Sequence, residues 1–334
     1  MADPVGHASF LGIGLENTAG TPVKSQVELD FISESLRGVG EPIRRRSINR
    51  TRAVKGAVMG PYRIEGDLNL EVTPDKITKL LYAALIGIAT AGTIAPFTHT
   101  FKPGAGLKPL TAQLLRDDQY FVYPGLHVSR LTFRGVIDQI LEATVGLAAK
   151  GKERIYNAEQ SDVAIAASTL DPFVFHQGVV TLHGAANTDT NNWEISIDTG
   201  LQTPKGLGAG RAPNRAHAGD NVVTGSFDLV FDTVEAHRRW MGASSSAYPI
   251  LVADTLQTFA LQLKYTAGAN AELTIDIPKA YYTASEPSVQ GRDGVIIQRC
   301  QFGSLYDVAS LADVVLTVKN AEAAASITGL GTDI

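Results

Sequence analysis

Alternation of apolar and polar positions runs through most of this chain. Over residues 64–72, Ile64, Leu68, Leu70 and Val72 point one way, and Glu65, Asp67, Asn69 and Glu71 point the other. A period of two marks a strand with one buried and one wet face, and here the wet face is acidic. Residues 223–231 repeat the pattern, with Val223, Phe227, Leu229 and Phe231 opposite Thr224, Ser226, Asp228 and Val230. Further strands are predicted over 9–14, 27–32, 110–115, 128–133, 140–147, 173–182, 193–197, 259–265, 272–277, 294–302 and 313–318.

A helical period follows each of the two alternating strands directly. Thr73 is a good N-cap and Pro74 suits the first helical position. Ile77, Leu80, Leu81, Ala84 and Leu85 then form an apolar stripe. The most apolar window, 80–95, contains Gly87 and Gly92 and stops at Pro96. It is shorter than the roughly 20 apolar residues that span a membrane, and reads as a buried helix running into a loop. The second helix is expected to start near Asp232-Thr233 and to bury Val234, Trp240 and Met241.

The same order therefore occurs twice. Val27 to Phe31, Gly38 and Gly40, Asn49-Arg50, the 64–72 strand and a helix are followed in the second half by Trp193 to Ile197, Gly206 and Gly208, Asn214-Arg215, the 223–231 strand and a helix. A duplicated strand-rich unit predicts an object built by repetition, such as a ring, rather than a single active site. The expected division is 1–150, a polar, alanine-rich linker over 151–171, and 172–334.

A length of 334 residues fits two domains of about 150 each. Hydrophobic residues at 44% are enough for two cores. A net charge of −5 argues against a protein whose main task is gripping nucleic acid. Cys300 stands alone and makes no internal disulfide, which favours a reducing compartment or a particle assembled inside a cell. Residues 1–7 lack the charged start and apolar run of a signal peptide.

The segment 37–63 stands out. It lacks alternation and carries Arg37, Arg44, Arg45, Arg46, Arg50, Arg52, Lys55 and Arg63 against Glu41. A segment of that length without structure is functional or disordered. Its one aromatic, Tyr62, gives little for bases to stack on, so an acidic protein surface, supplied by a second copy, is the better partner. The counterpart, 202–221, is rich in Gly and Pro and holds Arg211, Arg215 and His217.

No catalytic, metal or cofactor constellation emerges. Gly12, Gly14 and the glycines of 206–210 open no predicted helix, as a dinucleotide site requires, and read as turn glycines. Phosphate-loop, nucleophile-elbow and zinc signatures are missing from the sequence. His176 and His183, seven apart, fall on opposite faces of a strand. Cys300 beside Arg299 reads as a free structural thiol, and Glu65, Asp67 and Glu71 as a solvated strand face.

The opening Phe10-Leu-Gly-Ile-Gly-Leu-Glu-Asn-Thr-Ala-Gly-Thr-Pro-Val23 resembles the start of tail tube proteins of long-tailed bacteriophages. So do Phe31 to Leu36, Gly66 to Val72 leading into a helix, Thr98-His-Thr-Phe101 before a Pro-Gly turn, and Glu142-Ala-Thr-Val145. The resemblance covers most of the first half, and reaches the second through its likeness to the first.

It implies a mainly β chain of two duplicated β-sandwich or barrel-like domains, each flanked by one helix. Strands of successive domains would line a pore, and rings would stack into a tube through which DNA leaves the virion, without catalysis. The basic segment, with Arg44, Arg45, Arg46, Arg50, Arg52 and Lys55, occupies the place of the inter-ring loop. Glu65, Asp67, Glu71 and Asp228 occupy the place of the lumen lining. Family rings use six single domains, so the resemblance implies homotrimer rings, in which each chain supplies two domains, or hexamer rings. The implied partners are further copies, tape-measure, tail-terminator and distal tail proteins, and DNA in transit, in a tail assembled in the host cytoplasm. A different class stays open: a two-domain β-sandwich binding or decoration protein of a virion or cell surface.

Overall fold

Two long strands organise the chain, Gln119–Val136 and Glu272–Ser288. In the computed structural model, which describes residues 6–48, 50, 52–161, 170–208, 210–289, 292 and 294–334, each of them changes partners midway. The first part of Gln119–Val136 pairs with Leu110–Arg116 and Arg154–Tyr156, and its last part with Glu142–Ala149 and Thr190–Asp198. Likewise Glu272–Ser288 pairs first with Thr258–Thr266 and Val315–Asn320, then with Ile297–Ser304. A strand that serves two layers in turn carries apolar residues on the face between them.

In the first half one layer contains Leu11–Leu15 beside Leu110–Arg116, and the other contains Phe31–Glu34, Arg37–Gly40, Tyr62–Glu71 and Glu142–Ala149. Leu11, Ile13, Leu68, Leu70, Leu131, Phe133 and Val145 are buried in the shared core. In the second half Gly178–Leu182 and Thr258–Thr266 face Thr190–Asp198, Val222–Val230 and Ile297–Ser304. Ile195, Phe227, Leu261, Ile275 and Phe302 fill that interior.

Irregularities recur at matching places. The register shifts between Phe31 and Ser33 and between Thr190 and Asn192, each time at the start of a strand. It shifts between Leu110 and Ala112 and between Phe259 and Leu261, and again between Val128 and Arg130 and between Tyr282 and Ala284. Bulges re-aim a strand at the point where it bends. By this register Trp193 corresponds to Glu34, so the stretch in the place of Trp193–Ile197 is 34–38 and not Val27–Phe31. In 64–72 Leu68 pairs with Val145, and in 223–231 Phe227 pairs with Cys300.

Several expectations change. The first helix is Thr78–Leu85, one turn later than expected. The amides of Lys76 and Ile77 bond the carbonyl of Thr73, whose buried hydroxyl has no partner among the described residues, so Thr73 opens a turn instead of capping the helix. The helix stops at Ile86, which takes a φ of 57°, and the apolar window continues as the strand Ile86–Ala91. That strand and Phe97–Pro103 form a hairpin that joins the second half through Val315–Asn320. The second helix, Glu235–Trp240, buries Ala236 and Arg238 and leaves Trp240 exposed. A third helix, Ala324–Thr328, was not expected. Within the expected linker, Arg154–Tyr156 is a strand, and 162–169 lie outside the described residues.

Candidate functional site

Pairing joins both halves into one layer with an open polar face. Its strands run in the order Phe31–Glu34 with Arg37–Gly40, Tyr62–Glu71, Glu142–Ala149, the end of Gln119–Val136, Thr190–Asp198, Val222–Val230, Ile297–Ser304 and the end of Glu272–Ser288. Alternation turns Ile64, Leu68, Leu70, Phe227 and Leu229 inward. It turns Glu65, Asp67, Glu71 and Asp228 to the open face, as the sequence predicts.

That face is mixed rather than acidic. Arg63 Nε lies 2.6 Å from Glu65, Arg130 Nη2 3.9 Å from Asp67, and Arg299 Nε 3.3 Å from Asp228. Glu71 stands opposite Glu142, a like-charge pair that is unfavourable alone. Arg134, next along the row, sits between Glu142 and Glu194. Between the charged rows runs a band of hydroxyls and amides. Asn69 Nδ2 donates to Ser33 Oγ at 2.7 Å, Thr144 Oγ1 donates to Asn69 Oδ1 at 2.8 Å, and Thr132 and Ser196 hydroxyls meet at 3.0 Å.

The arginine-rich segment is more ordered than expected. Arg37–Gly40 belongs to the layer, and the excursion that follows holds a short hairpin, Ile43–Arg44 with Ala57–Val58. Arg44, Arg45, Arg46, Arg50, Arg52 and Lys55 are all exposed, and among the described residues none makes an ion pair. Asn49 lies outside the described residues. Exposed Ile43, Ile48, Val54, Val58 and Met59 share the excursion, so it offers apolar surface as well as charge. The counterpart loop braces its base: Arg211 Nε donates to Gly60 O at 2.8 Å, and Tyr62 N donates to Arg211 O at 2.9 Å.

Among the described residues, the layer ends in two unpaired edges. Along 31–40, Leu36 turns its amide and carbonyl outward, because Ser35 N already bonds Asp67 O. Leu36 N donates to Glu34 Oε2 at 2.9 Å, and Leu36 O accepts from Arg116 Nη2 at 2.7 Å and from Tyr123 OH at 3.2 Å. Arg116 clasps Glu34 at 2.8 Å, and burial raises the Tyr123 hydroxyl pKa. Along 282–288, Trp240 Nε1 donates to Thr283 O at 3.2 Å and His237 Nδ1 lies 3.0 Å from Ser285 O. Sequence reasoning missed these residues, because an unpaired edge becomes visible only once the sheet order is known.

Among the described residues no cluster of ligands fits a metal. His176 lies in the turn Phe175–Gln177, and His183, past the end of its strand, meets the Tyr282 hydroxyl at 3.0 Å. Cys300 is buried, and burial pushes its thiol up to about 12, so it is inert. A groove of about 330 Å³ between Ile137, Phe175, Val179 and Trp193 is mainly apolar. Among the described residues no helix is long and apolar enough to cross a membrane.

A polar sheet face spanning both halves, two edges open to pairing and a projecting basic hairpin are features of a building block. Comparison with curated proteins gives no match. The family model for the phage tail tube protein matches residues 6–311. The chain belongs to the phage tail tube protein family, structural components of the virion tail.

Proposed function

We propose that three copies of this chain close one ring of the tail tube, with the polar layer facing the channel through which DNA passes. The observation that carries this reading is the recurrence of strand order and bulges in the two halves. Each half then acts as one tube domain, and a contact between unlike surfaces closes into a ring when its rotation permits. On the polar layer, carboxylates outnumber guanidiniums, which repels phosphate, while the interspersed arginines limit like-charge repulsion within the wall.

The exposed hairpin is the element that stacks one ring on the next. It projects from the end of the layer where Tyr62–Glu71 begins. The opposite end carries Asp138, Asp189 and Asp232. Opposite charge at the two ends favours head-to-tail stacking. Tape-measure protein would fill the channel before DNA, with tail-terminator and distal tail proteins at the tube ends.

Negative-stain microscopy of the purified protein tests the reading. Rings or tubes with a central hole are expected; isolated monomers under all conditions would favour a binding or decoration protein. Replacing Arg44, Arg45 and Arg46 by Glu should leave rings that do not stack. Tubes of normal length from that variant at low salt would remove the hairpin from the stacking role.

A further inference from the structure

Between its halves the chain already contains one complete seam, and that seam is a template. There the end of Gln119–Val136 pairs with Thr190–Asp198: Arg130 faces Asp198, Thr132 faces Ser196 and Phe133 faces Ile195. Thr199 N donates to Ser129 O at 3.0 Å, so bonded pairs fall at every second residue from that point. The matching bulges carry Ser129 onto Thr283 and Thr132 onto Glu286. The matching register of the other strand carries Ser196 onto Arg37 and Ile195 onto Leu36.

Resting on the ring reading above, we infer that strand 282–288 of one copy pairs antiparallel with strand 31–40 of the next in this inherited register, Glu286 opposite Arg37. Two independent features of the edges agree with it. First, Glu286 and Arg37 have opposite charge, both are exposed, and both lie on the polar face, beside Arg299 and Glu65 respectively. Second, the register sets Pro287 opposite Leu36. Proline has no N–H to offer, and Leu36 is the edge residue whose carbonyl is already bonded by Arg116 and whose amide is bonded by Glu34. The missing donor thus meets a residue that does not need it.

The bonded rungs are then Gly38 with Ser285 and Gly40 with Thr283. Their carbonyl acceptors, Ser285 O and Thr283 O, are held in the single chain by His237 and Trp240. The incoming amides displace these side chains, so helix Glu235–Trp240 covers the edge until a neighbour arrives. Covering an edge is a general way to suppress unwanted pairing.

Cross-linking tests the register. Arg37 and Glu286 would form a non-bonded antiparallel pair, with Cα atoms about 4.5 Å apart, within disulfide reach. R37C combined with E286C should give covalently linked subunits after mild oxidation of rings, while R37C with P287C, shifted by one residue, should not. Cross-linking by the shifted pair, or rings of the first variant that stay uncross-linked, would overturn the register and leave the ring reading intact. Wild-type protein that never forms rings would overturn both. Arg37→Glu and Glu286→Arg should each weaken ring formation, and the double reversal should restore it; no restoration counts against the pairing. Trp240→Phe, lacking the indole donor, should lower the concentration needed for rings about fivefold, the equivalent of one hydrogen bond. An increase would contradict the displaced cap.

Discussion

Glu34 and Arg116 occupy in the first half the places that Trp193 and Tyr265 occupy in the second. One site holds an ion pair at 2.8 Å, the other an indole N–H donating to a phenol at 3.1 Å. The reason lies in the backbone next to them. Ile195, the counterpart of Leu36, has a sheet neighbour in Phe133, so its surroundings stay apolar and aromatic. Leu36 has no such neighbour among the described residues, and its peptide groups turn toward the edge. Burying them without partners would cost about 1–3 kcal/mol each. The charged side chains satisfy them instead. The same strand pair therefore carries different chemistry according to whether its edge is paired.

Removing one partner of each pair should expose that difference. Arg116→Ala leaves Glu34 and Leu36 O without their donor. Breaking a buried pair costs about 3–5 kcal/mol; with the Arg116 side chain 34% exposed, we expect about 2–3 kcal/mol in denaturant unfolding. Tyr265→Phe keeps the ring and loses one hydrogen bond, about 1 kcal/mol. Equal losses at the two sites would mean that the edge does not explain the ion pair.

The halves should also differ in their response to acid. In the second half, burial first and Arg239 second lower the His183 pKa from its ordinary 6.5 to about 4. The folded state then refuses a proton that the unfolded chain accepts, so stability falls as pH drops from 6.5 towards 4. Allowing for partial exposure, the fall is about 1–2 kcal/mol. In the first half, burial raises the Glu16 pKa despite hydrogen bonds from Thr111, Gly125 and Gly20. Its penalty appears as pH rises above 4.5, the opposite direction. His183→Asn, which tolerates the left-handed backbone there, should flatten the decline between pH 6.5 and 4 in thermal melts. An unchanged decline would remove His183 as its source.

The smallest effect is expected on the polar face. Arg299→Gln breaks an exposed pair with Asp228 and should change stability by no more than about 0.5 kcal/mol. A large loss would show that the face holds the fold together instead of merely presenting charge.

The strands of both halves were legible because alternation survives wherever one face is wet. Glu65, Asp67, Glu71 and Asp228 were placed on that face by period alone. The helix start at Thr78 was hidden because Thr73-Pro74 is as good a turn as a cap. The hairpin Ile86–Ala91 with Phe97–Pro103 was hidden because its first strand continues an apolar helix and exposes Ala89 and Ala91, apolar residues that leave no polar alternation to read. The basic segment was found by charge, but its pairing through Ile43 and Val58 left no periodic trace over so few residues. The Glu34–Arg116 clasp joins residues far apart in sequence, and only the sheet order brings them together.

The central claim is that each half supplies one domain of the ring wall. Counting the chains in one ring, by native mass spectrometry of isolated rings or by symmetry analysis of assembled tubes, tests it most directly. Three chains per ring, with two similar wall segments from each, is the predicted result. Six whole chains per ring, with the second half lying outside the wall, would contradict it.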